Sequence, residues 1–361
     1  MRFDLFRKVL WASLAATLLY PSISSAKERD KFVYGVPSVI SSAVANFVFA
    51  KELGYFDEER IDLELVPAAG SGVTIPLLLS NQMQSTGASL EPLTISRAPG
   101  KQNFPLIFVY NYLRNSVWEL AVLDSSPIKS VADLRGKTVG ISAMSAGNVF
   151  LTRAILRGEG VAWSDISLQP VGFGAQAFEA LKTKQIDVLN LWDSMHEALE
   201  QSGTKIRRLP MPKAFQGLSS HGFLVTQKLV NENPDLIARF GRAVTKGTVA
   251  CEANPEGCLN AFFKHYPNQR PAGAGEEVMR RELAVMMSRL NNIASFAPGE
   301  EKAYGAYKDR DWNALISALK LGEQIPADAS IPLDSLYTNK FVPEYNRFDA
   351  AHVVKQAKAY R

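Results

Sequence analysis

Two patterns of hydrophobic and polar positions alternate along this chain. Short apolar runs, such as residues 31–36, 61–66 and 106–110, predict strands. Between them, apolar residues three or four positions apart predict helices, as in residues 41–53. Because strands alternate with helices and several strands are apolar throughout, the pattern predicts an α/β fold with a mainly parallel sheet covered on both faces.

The same alternation begins again at Trp118 and continues to about Gln201. Strands at residues 206–209 and 221–225 are predicted to return to the first unit, after which the chain becomes helical. We therefore expect two lobes, with residues 27–112 and 203–361 in lobe 1, including a helical C-terminal part, and residues 113–202 in lobe 2.

A small, hydroxylated turn lies at the centre of the second unit. Residues 138–141 predict a buried strand, and residues 142–148 lead into a segment with helical apolar spacing. A helix start exposes backbone N–H groups and the positive end of the helix dipole, so it can bind an anion. Ser142, Ser145 and Asn148 are therefore candidate anion contacts, and a βα turn capped by Ser145 is the alternative.

The first 26 residues have the features of a secretory signal peptide. Arg2, Arg7 and Lys8 precede an apolar core at residues 9–20, which is too short to span a bilayer, and a small-residue cleavage site ends at Ala26. We expect cleavage near Ala26 and an exported mature chain without a membrane-spanning segment.

Charge and cysteine usage narrow the function classes. The net charge is +4, of which residues 1–26 contribute half, so the mature chain has no electrostatic case for binding nucleic acid. Cys251 and Cys258 are the two cysteines, and in an exported protein they are predicted to form one disulfide, with two reduced thiols as the alternative. No third cysteine or histidine stands at zinc-ligand spacing beside them, and we predict no metal site.

Four segments resemble the periplasmic substrate-binding proteins of sulfonate, nitrate and taurine ABC importers, a superfamily that also binds thiamine pyrimidine precursors. They are VYGVPS at 33–38, KELGYFDEERIDLELVPAAGSGVTIPLLLSNQMQSTGAS at 51–89, SVADLRGKTVGIS at 130–142 and EALKTKQIDVLNLWDS at 179–194. The resemblance implies a two-lobed periplasmic-binding-protein fold, with two crossing segments and a ligand cleft between the lobes. It also implies a periplasmic monomer that delivers a small molecule to an inner-membrane permease with a separate ATPase subunit.

Ligand sites in open α/β sheets form at the carboxyl ends of strands and between domains. That rule selects as ligand contacts Ser38, Gly70, Ser71, Gly72, Ser89, Glu91 and Asn111 from lobe 1, Ser142, Ser145, Asn148, Phe173, Trp192 and Asp193 from lobe 2, and His221. Asp193 and Glu91 would receive a ligand amine or would cap helices, and Trp192 would stack on the ligand or pack in the core.

These residue types predict a small polar ligand, namely an organic sulfonate such as a taurine-like molecule, with an aminopyrimidine (a thiamine precursor) or an aromatic carboxylate as the alternative. An enzyme related to thiamine-pyrimidine synthases is the competing class. The four histidines show no metal-ligand spacing, and the sequence has no G-x-S-x-G, Walker A or G-x-G-x-x-G motif. We therefore predict a non-enzymatic receptor without a cofactor that captures its ligand by lobe closure.

Overall fold

A computed structural model describes residues 28–273 and 275–361 of the chain. The predicted signal peptide lies outside these residues. Within them, none of the helices combines the length and apolar character needed to cross a membrane.

In the part of the chain that the structure describes, ten strands form two five-stranded mixed sheets. The first sheet has the order β2-β1-β3-β10-β4 and the second the order β7-β6-β8-β5-β9. The strands are β1 Asp30–Val36, β2 Ile61–Pro67, β3 Ser85–Ser89, β4 Leu106–Leu113, β5 Trp118–Leu123, β6 Thr138–Ile141, β7 Ser167–Pro170, β8 Val188–Trp192, β9 Ile206–Arg208 and β10 His221–Thr226.

Helices cover both sheets and form the C-terminal third of the chain. They are α1 Ala45–Glu52, α2 Tyr55–Glu58, α3 Ser71–Leu79, α4 Glu91–Ser96, α5 Asn148–Gly158, α6 Gly174–Lys182, α7 Asp193–Gln201, α8 Gln227–Glu232, α9 Pro234–Ala253, α10 Pro255–His265, α11 Glu276–Ile293, α12 Asp309–Leu321, α13 Val342–Tyr345 and α14 Ala350–Ala359.

The chain changes sheets twice, between β4 and β5 and between β9 and β10. The two α/β lobes and the two crossing segments match the predicted fold class. Two predictions need correction. The sheets are not mainly parallel, because the strands that follow the crossings, β5 and β10, run antiparallel to both of their neighbours. In addition, β9 pairs with β5 in the second sheet and does not return to the first. A turn at Gly203, with φ +90°, brings the chain back beside β5 directly after α7, so the second crossing begins after Arg208.

Two C-terminal helices contact both lobes. Helix α11 packs against α9 and α10 on the lobe 1 side and against α7 of lobe 2. Helix α12 packs against α4 of lobe 1 and α5 of lobe 2. The helical tail therefore belongs to the interface between the lobes as much as to lobe 1.

A predicted disulfide and an aromatic cluster stabilise lobe 1. Cys251 and Cys258 are bonded and fully buried, and they join the end of α9 to α10. On the first sheet, the rings of Phe32 and Phe240 stack with their centroids 4.0 Å apart, and Tyr34 packs 4.8 Å from Phe47. Tyr34 and Phe47 of this aromatic cluster lie at the end of the first sheet, next to lobe 2.

Candidate functional site

A cleft with a volume of about 60 Å³ lies between the ends of the two sheets. Residues of α1 and of β1, β3, β4 and β10 in the first sheet form one side, and the start of β5 and the end of β8 in the second sheet form the other. The lining residues are Tyr34, Val36, Pro37, Ser38, Ala43, Val44, Phe47, Gly87, Tyr112, Leu113, Val117, Trp118, Trp192, His221 and Arg289.

Two tryptophans form the lobe 2 wall of the cleft. Trp118 begins β5 and Trp192 ends β8, and the two residues are directly opposite each other in the antiparallel pair. Their rings meet edge to face, 6.2 Å apart, and Phe173 supports Trp192 from 5.3 Å. Their facing positions across neighbouring strands keep the indoles in contact, so they offer a preformed surface for a flat ligand.

The lobe 1 wall is also aromatic. Tyr34 comes from β1, Phe47 from α1 and Tyr112 from the end of β4. The Tyr112 hydroxyl donates to Asn46 Oδ1 at 2.9 Å, which fixes its ring. A Cβ added at Gly87 would stand 2.4 Å from the Tyr34 hydroxyl oxygen, so the glycine leaves space for that hydroxyl. Among the described residues the Tyr34 hydroxyl has no hydrogen-bond partner, so it is available to a ligand.

Arg289 is the one cation among the lining residues, and α11 brings it to the cleft. Its Nε lies 3.1 Å from both carboxylate oxygens of Asp193, and its Nη2 lies 2.6 Å from Oδ1. Asn292 Nδ2 donates to the second oxygen at 2.6 Å. Asp193 therefore neutralises and orients Arg289, whose Nη1 bonds no other residue in the described part of the chain.

His221 begins β10 and faces the cleft beside Trp118, with the two ring centroids 5.2 Å apart. Its Nδ1 lies 2.8 Å from the Ser220 hydroxyl. Burial, together with the nearby Arg289 guanidinium, lowers the pKa of His221 to about 3. The imidazole is therefore neutral at any pH at which the protein works.

A second region, which we call the seam, holds the lobes in direct contact. It consists of residues 70–72 and Ser89 from lobe 1 and residues 142–147 from lobe 2. Ser145 Oγ donates to the Ala69 carbonyl at 3.0 Å, and the Gly72 amide donates to the Ser145 carbonyl at 3.4 Å. The two lobes therefore touch directly at the seam, as expected of a closed form.

Small residues make the seam tight. Ser71 Oγ accepts from the Ser89 amide at 3.0 Å and lies 3.3 Å from the Ser89 hydroxyl, and both side chains are buried. A Cβ built on Gly147 would stand 2.0 Å from Ser89 Oγ. The seam residues therefore meet one another, and none of them lines the cleft.

Other predicted contacts are buried near the seam or at the crossings. The Glu91 carboxyl is 1% exposed, and burial raises its pKa to about 8. Asn148 Nδ2 donates to the Asn190 carbonyl at 2.9 Å and to its side chain at 3.0 Å. Asn111 Nδ2 bonds Ser219 and Ala306. Ser142 is also buried.

Of the predicted ligand contacts, Ser38, Trp192 and His221 line the cleft, while Asp193 and Phe173 support lining residues from behind. The remaining ones lie in or near the seam or at a crossing, and a ligand role for them stays a prediction. Sequence reasoning missed four of the aromatic and charged residues that line the cleft, which are Tyr34, Phe47, Trp118 and Arg289. Trp118 could have been found, since it begins the second predicted unit, whereas nothing in the helical spacing of residues 276–290 singles out Arg289.

Two curated relatives are named as binding proteins. The chain is 26% identical to a riboflavin-binding protein of Chloroflexus aurantiacus over 67% of this chain, and covers 63% of that relative's length. It is 23% identical to a formylaminopyrimidine-binding protein of Halalkalibacterium halodurans over 77% of this chain and 81% of the relative.

Solved structures share the fold at lower identity. The periplasmic aliphatic sulphonate-binding protein of Escherichia coli matches with a TM-score of 0.61 and 16% identity, over 87% of this chain and 94% of that one. The desulfurization enzyme DszB matches with a TM-score of 0.51 and 17% identity, over 88% and 99% of the two chains. Receptors and an enzyme therefore share this fold, and the fold alone does not decide between them.

The family model described as NMT1/THI5 like matches residues 41–258. That segment contains nearly all of both sheets but ends before α11, so the helix that carries Arg289 lies outside the match. Because the match covers more than half of the chain, and the fold neighbours include binding proteins of the predicted importer class, the chain belongs to the NMT1/THI5-like family.

Proposed function

We propose that this protein is the solute-binding component of an ABC importer and that it captures a small, planar nitrogen heterocycle of the pyrimidine class. The observation that carries the proposal is the cleft itself, where aromatic rings from both lobes surround an arginine already neutralised by Asp193. Flat aromatic ligands gain from stacking on such walls, and a few polar groups fix their orientation.

An organic sulfonate is the weaker candidate. A sulfonate carries a full negative charge, and its binding needs uncompensated positive charge or several converging N–H donors. Both oxygens of the Asp193 carboxylate contact Arg289, so they cancel most of the attraction between this arginine and a sulfonate. The helix start at residues 142–148, the predicted anion site, packs against lobe 1 in this closed form.

The names of the relatives support a heterocycle. One is named for riboflavin and another for a formylaminopyrimidine, and both names contain a nitrogen heterocycle. The cleft is small, with a volume of about 60 Å³, which favours a compact heterocycle over a large ligand such as a flavin.

Capture follows from the two-sided construction of the cleft. A ligand on the lobe 1 wall meets Trp192 and Trp118 only when the lobes close, so binding favours the closed form. We further propose that the mature chain begins near Lys27, works in the periplasm as a monomer and delivers its ligand to a permease whose ATPase is a separate subunit. The receptor needs neither a cofactor nor a nucleophile, and its two cysteines are bonded to each other.

Calorimetric titration of the purified mature chain tests this function. The panel is 4-amino-2-methylpyrimidine, riboflavin, taurine and a linear alkanesulfonate, each added to protein that has been unfolded, dialysed and refolded to remove bound ligand. We expect the pyrimidine to bind at least tenfold more tightly than either sulfonate. A preference for a sulfonate, or turnover of any compound by the protein alone, would contradict the proposal.

A further inference from the structure

Ser220 lies directly behind His221, the neutral imidazole of the cleft. The residue is 1% exposed, and its hydroxyl lies 2.8 Å from His221 Nδ1. No other side chain or carbonyl among residues 28–273 and 275–361 hydrogen-bonds this hydroxyl. The two residues are adjacent at the start of β10, so lobe movement does not separate them.

This pair has one arrangement that satisfies both groups. A buried hydroxyl must donate its hydrogen, and within the described residues the only acceptor bonded to Ser220 Oγ is His221 Nδ1. If Nδ1 instead carried the proton, the serine hydrogen would be left without a partner, at a cost of about 1–3 kcal/mol. The neutral ring therefore carries its proton on Nε2, on the side away from Ser220.

We infer that Ser220 fixes His221 as a hydrogen-bond donor to the ligand, so that the cleft selects heterocycles presenting a ring nitrogen or carbonyl oxygen at that position. Arg289 Nη1 is a second donor in the same cleft and has no acceptor character. A ligand that presents an N–H or C–H group to His221 leaves a buried donor unpaired, and sites of this kind discriminate strongly. The ligand chemistry in this inference depends on the proposed function, whereas the ring tautomer does not.

Nitrogen NMR of the ligand-free protein tests the tautomer directly. Long-range ¹H–¹⁵N correlation spectra distinguish the two neutral forms, and the His221→Asn variant identifies the signals. We expect the Nε2–H form in the wild-type protein and a mixture of forms in Ser220→Ala. The Nδ1–H form in the wild-type protein would overturn the inference, whatever the ligand is.

Paired ligands test the selection. The two probes are 4-amino-2-methylpyrimidine and 3-methylaniline, in which C–H groups replace the ring nitrogens. We expect the wild-type protein to prefer the pyrimidine at least tenfold, His221→Gln, which keeps an N–H donor, to retain a preference, and His221→Phe to lose it.

The outcomes separate the two proposals. An unchanged preference in His221→Phe would overturn the selection by His221 while leaving pyrimidine capture intact. If neither probe binds but the NMR spectra show the Nε2–H form, pyrimidine capture fails and the role of Ser220 stands.

Discussion

The cleft and the seam are both built where strands end, and both bring lobe 1 against lobe 2, yet they have opposite contents. The cleft is lined by large rings that stop short of one another and leave about 60 Å³ between them. The seam is built from glycine and serine, whose backbones approach until a Cβ on Gly147 would stand 2.0 Å from Ser89 Oγ. Side-chain size decides which region closes on itself and which encloses a ligand.

This difference in side-chain size gives the seam and the cleft separate roles. Small residues let the lobes meet directly, so the seam sets how far they close. When the lobes have closed as far as the seam allows, the rigid aromatic rings keep the two walls of the cleft apart. The shape of the cleft therefore determines which ligands fit. Changes in the seam should therefore weaken all ligands alike, and changes in the cleft should alter the order of preference.

The largest expected effect comes from the seam. Gly147 has φ −63°, which alanine adopts readily, so Gly147→Ala adds only a methyl group against Ser89. We expect affinity for every bound ligand to fall about 100-fold, about 2.7 kcal/mol, with an open form visible by small-angle scattering.

A second substitution provides the control for Gly147→Ala. Ser89→Gly removes both atoms that the new methyl group would meet, the hydroxyl oxygen at 2.0 Å and the Cβ at 2.6 Å. The double variant should recover closure and most of the affinity. Full affinity in Gly147→Ala alone would show that closure does not depend on the seam.

The next effect belongs to the cleft. Asp193→Asn leaves Arg289 as an uncompensated cation, and loss of one partner of a buried ion pair is expensive. We expect pyrimidine affinity to fall by roughly 2 kcal/mol, about 30-fold, while alkanesulfonates gain affinity.

Titration calorimetry with both ligand classes measures this reversal. Glu64→Gln is the matched control, because it breaks the exposed pair with Lys31 far from the cleft and should leave both affinities unchanged. If Asp193→Asn lost affinity equally for both ligand classes, Asp193 would support the folded structure in general and would not determine ligand selectivity.

A smaller effect concerns the buried carboxyl beside the seam. Burial raises the pKa of Glu91 from 4.5 to about 8 in the folded chain, so the folded state holds a proton that the unfolded state releases. The Glu91 contribution to stability is therefore fully present below about pH 4.5 and is lost as pH rises toward 8. We expect Glu91→Gln to be more stable than the wild-type protein at pH 8 by about 1 kcal/mol or more, and equal to it near pH 4.5. Urea unfolding of both proteins at pH 4.5 and pH 8 measures the difference in their free energies of unfolding. The same difference at the two pH values would contradict the prediction.

The smallest expected effect is an absence of pH dependence in the cleft. Because the pKa of His221 is lowered to about 3, the ring stays neutral between pH 5 and 8. In the Glu91→Gln background, pyrimidine affinity should change less than twofold over that range. A transition centred near pH 6.5 would mean that His221 titrates as an exposed histidine does.

The sequence predicted the fold more completely than the site. Apolar runs and helical spacing located the alternating strands and helices, because these patterns are local. Strand direction and partner are not local properties, so the antiparallel pairings of β5 and β10 and the partner of β9 were wrongly predicted. The rule that ligands bind at strand ends selected seam and cleft alike, since both satisfy it. Asp193 was correctly placed at a strand end, but its cationic partner is Arg289, 96 residues further along the chain. No local pattern reports a contact at that distance.

Tryptophan fluorescence most directly tests the claim that the cleft, and not the seam, holds the ligand. Trp118 and Trp192 line the cleft, so 4-amino-2-methylpyrimidine should change their emission on binding. We predict that Trp192→Leu weakens binding at least tenfold, while Ser145→Ala in the seam, which removes only the bond to Ala69, changes affinity less than threefold. Strong loss in Ser145→Ala with full binding in Trp192→Leu would contradict the account.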